Sequence, residues 1–117
     1  MANLVSTLDG FARAAAPANG LSLADLTPMA SVVVRTRNSL YRIFMLEPPG
    51  AILLQGGRFF PERTHAHLSG SSLGGSALKM DWIGVGFNME IVGPGGPVVT
   101  SPVRSIEVQP EDSAGPF

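Results

Sequence analysis

Three arginines and a tyrosine crowd one octet of this chain, Arg35-Thr36-Arg37-Asn38-Ser39-Leu40-Tyr41-Arg42. A guanidinium fork suits a phosphate or a carboxylate, and it stacks on rings. Arg35, Arg37 and Arg42 with Tyr41 are therefore candidates for holding an anion or a partner. The competing reading is the solvated face of a hairpin, its charges met by carboxylates within the fold. Phe59-Phe60 stands between Arg58 and Arg63 in a stretch bounded by glycine and proline. Two aromatics there fold back as a plug or stand out as a binding tip, since aromatics beside arginine suit interfaces.

Two other clusters invite chemistry. His65 and His67, two apart, share one face of a strand, as a pair of metal ligands can. A zinc site needs further ligands, the chain has no cysteine, and no spacing selects among Glu62, Asp81 and Glu90. No metal and no cofactor is expected. Gly70, Ser72 and Gly74 match the nucleophile-elbow pattern of hydrolases, which requires a strand, a sharp turn and a helix. The residues after them are glycine-rich and lead into a strand pattern, so the match reads as a loop. Lys79 is not preceded by glycine and is followed by Met80, which excludes a phosphate-binding P-loop.

The elements that position these residues follow from periodicity. Leu4, Leu8, Phe11, Ala12 and Ala15 recur at helical spacing, and Pro17 with Asn19-Gly20 ends that segment. One helical turn fits Leu21 to Met29. From Ser31 the period becomes two. Asn38-Ser39 is a good hairpin turn pair. It predicts Arg37 opposite Leu40, Thr36 opposite Tyr41 and Arg35 opposite Arg42. Val32, Val34, Thr36, Tyr41, Ile43 and Met45 then share the core face, and a like-charge arginine pair sits outside, costing up to about 1 kcal/mol unless neutralised. Ala51–Gln55 and Arg63–Leu68 read as strands, and residues 69–76 as a flexible loop. Leu78, Met80 and Trp82 with Phe87, Met89 and Ile91 read as a second amphipathic hairpin facing the core. Val98–Thr100 and Val103–Val108 follow, bent at Pro102, because proline cannot donate to a ladder.

The fold expected is all-β: a small antiparallel β-barrel, or a compact sandwich, of about seven to eight short strands with a short N-terminal α-helix packed on it. Residues 1–20 form the helix and linker, 21–108 the barrel domain, and 109–117 a loose tail. With 117 residues, one domain can bury a core without covalent staples. Glycine and proline make up 24 residues, about a fifth against a usual eighth, which fits many short elements joined by turns.

Charge narrows the function classes. The net charge of −1 argues against a general polyanion binder. Residues 31–79 carry a net +4 and residues 80–117 a net −4, an asymmetry that can pair within one fold or between subunits. Asp9 and Arg13 break the first apolar run, so neither a signal peptide nor a membrane span is expected. The lack of cysteine fits a cytoplasmic protein. The leading expectation is a non-catalytic protein-interaction or self-associating module using Arg35, Arg37, Arg42, Tyr41, Phe59 and Phe60. The alternative is binding of single-stranded nucleic acid or another anion through the same residues. A small hydrolase or metal-dependent enzyme built on His65, His67 and Ser72 is the third.

Overall fold

Alternation of apolar and polar side chains continues along most of the chain, and a strand is the element that sorts such a pattern onto two faces. The computed structural model describes residues 20–109, and within them it is all-β. The strands are β1 (Gly20–Ser22), β2 (Ser31–Thr36), β3 (Leu40–Glu47), β4 (Ala51–Gly56), β5 (Phe60–Ser72), β6 (Leu78–Met80), β7 (Trp82–Gly84), β8 (Asn88–Gly93) and β9 (Gly96–Gln109). A single 3₁₀ turn, Leu23–Asp25, follows β1, where one helical turn was expected. The helix expected at Leu4 to Ala15 lies outside the described residues.

All pairings are antiparallel. β2 pairs with β3, β3 with β4, β4 with β5, β5 with β8, β8 with β9, and β9 with β2. Those six pairings form a closed circuit. β6 joins β5 outside it, and β7 pairs with β1 in a separate two-stranded sheet. Two long strands make the circuit possible. β5 pairs with β4 through residues 60–67 and with β8 through residues 67–72. β9 pairs with β8 up to Pro102 and with β2 from Val103 onward. The expected bend at Pro102 thus marks a change of partner within one continuous strand.

Inside lie Val32, Val34, Tyr41, Ile43 and Met45 from the first hairpin, joined by Ile52, Leu54, Leu68, Met89, Ile91, Val103 and Ile106. The face assignment of the first hairpin is therefore as expected, but its register is not. Arg35 faces Leu40, and Arg42 faces Val33. The turn residues are Arg37-Asn38, closed between Thr36 and Ser39. The Thr36 amide donates to the Ser39 carbonyl at 2.8 Å, and the Ser39 amide donates to Thr36 Oγ1 at 3.1 Å. The threonine hydroxyl closes the turn one residue earlier than the Asn38-Ser39 pair implied. A second strand fixes it there: Arg37 N–H donates to the Pro102 carbonyl and Asn38 N–H to Ser101 Oγ. Moving the turn by one residue changes the pairing by two, so each side chain keeps its face.

Three further expectations are corrected. Residues 69–72 continue β5 instead of opening a loop, and Ser71 and Ser72 are fully buried. Leu78 and Met80 are exposed, at 44% and 70%, because they pair with the far end of β5 and not with β8. The second hairpin is absent for the same reason. Asp81, with φ of 56°, turns the chain between β6 and β7, which sends Trp82 toward β1. There the indole meets Phe87 edge-on at 5.2 Å and Lys79 Nζ at 4.2 Å, while a Cβ added at Gly20 or Gly84 would overlap it.

The close approach of β6 to β5 requires glycine at position 70. Its φ is +149°, and a Cβ there would collide with the Lys79 carbonyl oxygen. Gly70→Ala is expected to lower stability by about 1–3 kcal/mol, from backbone strain and overlap together. Gly95→Ala, at a turn with nothing within 4 Å of the new methyl, should stay within about 0.5 kcal/mol. Urea unfolding of both variants checks the contrast.

Candidate functional site

The residues singled out for binding do not gather on one surface. Tyr41 and Phe60 are core residues, at 6% and 3% exposure. Phe59 is 65% exposed, so the aromatic pair divides: Phe60 folds back into the core and Phe59 stands out. Arg58 lies over the Phe59 ring, with Cζ 5.8 Å from the centroid. Arg35, Arg37 and Arg42 are exposed. Arg35 stands between Leu40 and Ser105, and Arg42 between Val33 and Gln55. The like-charge pair that called for neutralisation is thereby absent, and none of the three arginines has an ion pair among the described residues. Glu107, opposite Val33, is two strands from Arg42 across the same face.

His65 and His67 point outward from β5, as their spacing implied. His67 lies against Gly50, where a Cβ would meet its ring. Among the described residues no group of three histidine, cysteine or acidic side chains could hold a metal ion. Ser72 Oγ donates to Glu90 Oε2 at 2.5 Å and accepts from the Gly75 amide at 3.0 Å. Asn88 Oδ1 accepts from the Gly74 amide at 2.9 Å. These bonds tie the glycine-rich loop to β8. The hydroxyl is buried, its partners are a carboxylate and a loop amide, and a strand follows where an elbow needs a helix. The arrangement is a loop clamp. Ser71 Oγ, next to it, is buried without a hydrogen-bond partner.

A concave site does form, from segments about thirty residues apart in sequence. Phe59, Phe60 and Thr64 line one wall, and residues 93–99 of the β8–β9 hairpin line the other, around about 510 Å³. No lining residue carries a charge. Phe60 folds under the hairpin so that its ring abuts Gly93, where a Cβ would come within 2.7 Å of Cε1. Phe59 and Val99, at 65% and 49% exposure, leave the rim apolar. The sequence signal for this site was the double aromatic before Pro61 and the Gly-Pro-Gly-Gly-Pro run at 93–97. Nothing in either run indicates that the two meet. Comparison with protein-family models, curated proteins and solved structures returned no match.

Two expected outcomes follow from the buried polar groups. Ser72→Ala leaves Glu90 and the Gly75 amide without their partner, so stability should fall by about 1–3 kcal/mol. Hydrogen exchange at Gly75 should quicken, which amide exchange with denaturant unfolding measures. Tyr41 supplies a pH dependence. Burial pushes its phenol above the ordinary 10.0, and a hydrogen bond with Ser39 opposes that in part. The native state keeps a proton that the unfolded chain has released. Its contribution is intact below about pH 10 and is lost as pH rises through the native value. Tyr41→Phe should lose that alkaline fall in stability. The wild-type titration is read by tyrosinate absorbance, because the chain has one tyrosine.

Proposed function

We propose that this chain is a non-catalytic protein-interaction module, a small β-barrel that receives an apolar segment of a partner in the groove beside Phe59. The closed circuit of pairings supports the barrel reading, because each strand in it has a neighbour on both sides over part of its length. The observation that carries the binding reading is the groove itself, uncharged along its walls and rimmed by exposed apolar side chains. Concave apolar sites with few polar groups are where small folds bind ligands and partner segments. The burial of Ser72 and its bond to Glu90 support a non-catalytic role. The lack of cysteine supports a cytoplasmic place of action. No helix among the described residues is long and apolar enough to cross a membrane.

A single-strand nucleic-acid binder needs aromatics on a basic face. Arg35, Arg37 and Arg42 supply charge, but Tyr41 and Phe60, which would have stacked on bases, are in the core. The partner-binding reading therefore has the stronger support. Self-association is its homotypic form, with a segment of a second copy in the groove.

Panning a displayed random-peptide library against the protein tests this. Selected peptides should bind the wild type and lose at least about tenfold in affinity against Val99→Glu, which places a charge on the groove wall. Phe59→Ala should weaken them as well. A library that yields no peptide sensitive to Val99→Glu would overturn the reading.

A further inference from the structure

β6 ends the larger sheet: it pairs with β5, and no described strand pairs with its other side. Two contacts fix which main-chain groups face outward. The Asp81 amide donates to the Ser69 carbonyl at 2.9 Å, and the Lys79 carbonyl lies against Gly70. The main chain of Lys79 therefore points to β5, and alternation turns the amides and carbonyls of Leu78 and Met80 to the free side. All three residues of β6 are exposed, so that edge is uncovered.

The side chains mark the same edge. Seven large apolar side chains are exposed among the described residues, and three of them, Leu73, Leu78 and Met80, lie within residues 73–80. Leu78 and Met80 share a face, two residues apart. Leu73 opens the loop that joins β5 to β6. A lysine on an edge strand ordinarily guards it against pairing. Here Lys79 is on the opposite face from Leu78 and Met80, and its Nζ sits 4.2 Å from the Trp82 ring centroid. The charge is drawn toward the indole and away from the free side.

These features select the occupant. A strand that fits must offer two open main-chain positions two residues apart, with an apolar side chain at each. β6 itself has that form. Turned about a two-fold axis at Lys79, a second copy sets its Leu78 opposite Met80 and its Met80 opposite Leu78. Each of these pairs exchanges two main-chain hydrogen bonds, which uses every open group of both strands. The four apolar side chains meet on one face. On the other face Lys79 meets its own counterpart, a like-charge pair that weakens the contact.

We propose that this chain self-associates through β6, in an antiparallel pairing of Leu78, Lys79 and Met80 with the same residues of a second copy. The sheet then runs from β5 of one copy through both β6 strands to β5 of the other. None of these residues lines the groove beside Phe59, so the two surfaces stand or fall separately. Strands this short bury less than the roughly 1,200 Å² of stable complexes, so the dimer is weak and forms at high protein concentration.

Sedimentation velocity on the full chain, from about 10 μM to about 1 mM, should show a monomer–dimer equilibrium. Over the same range hydrogen exchange should slow at the Leu78 and Met80 amides far more than at Lys79, which already faces β5. Met80→Glu and Leu78→Glu change exposed positions, so each should keep the monomer's ¹⁵N spectrum and weaken dimerisation about tenfold or more. Added salt should strengthen the dimer by screening the two lysines. Lys79→Glu mixed with wild type should dimerise about fivefold more tightly than wild type alone, because an opposite-charge pair replaces a like-charge one. A chain that stays monomeric at the highest concentration would overturn the proposal. A dimer lost in Val99→Glu but kept in Met80→Glu would also overturn it, and would place self-association in the groove. The peptide acetyl-Ser-Val-Glu-Val-Ser-amide tests the remaining occupant. Protection of the Leu78 and Met80 amides by this peptide, without any dimer, would assign the edge to an acidic strand of another protein and sink the pairing of two copies.

Discussion

Everything in this fold depends on two strands that each serve two neighbours. A short strand can complete a ladder on either side only along its own length. β5 and β9, at 13 and 14 residues, outrun their partners and take up new ones where the old ones end. The exchange falls at His67 in β5 and at Pro102 in β9. Local irregularities accompany both. The register of β5 against β8 shifts between Leu68 and Gly70, and that of β9 against β2 shifts between Arg35 and Thr36. Bulges of this kind bend a strand and raise its twist, which lets one strand face two directions.

The same constraint creates the groove. A strand that changes partners leaves some of one edge beyond the reach of the new neighbour. In β5 the new neighbour, β8, pairs from His67 onward. The β8–β9 hairpin ends beside it at Gly93, and Phe60 fills the space beneath. The groove is thus a by-product of closing the circuit, and its position follows from strand lengths more than from any binding motif.

The polar residues at the turns hold the ends of this arrangement. Thr36, Ser39 and Ser101 join the first turn to β9, with Ser101 Oγ donating to Thr36 Oγ1 at 2.8 Å. Ser72, Glu90 and Asn88 join the glycine-rich loop to β8. Thr100 Oγ1 accepts from the Met89 amide at 3.0 Å, and the Asn88 side chain donates to the Thr100 carbonyl. Thr36, Ser72 and Thr100 thus have their hydroxyls engaged within the fold, and a buried polar group costs least where its bonds are satisfied.

Side-chain alternation by itself determined the all-β class, the inward face of β2 and β3, and the outward direction of His65 and His67, because strand periodicity is local and survives any even shift in pairing. The division of Phe59 from Phe60 follows the same alternation once the strand start is known. Tertiary structure decided which strands meet. Leu78 and Met80 have the pattern of core residues, yet they are exposed because β6 pairs with β5 at Gly70 and not with β8. Arg35 and Arg42 were expected face to face, and Thr36 with Ser101, 65 residues away, moved the turn. The groove is the furthest from local reading, since its walls come from residues 59–64 and 93–99 and meet only when β5 changes partners. Partner choice depends on long-range hydrogen bonds and close backbone approach, and neither leaves a periodic trace in the chain.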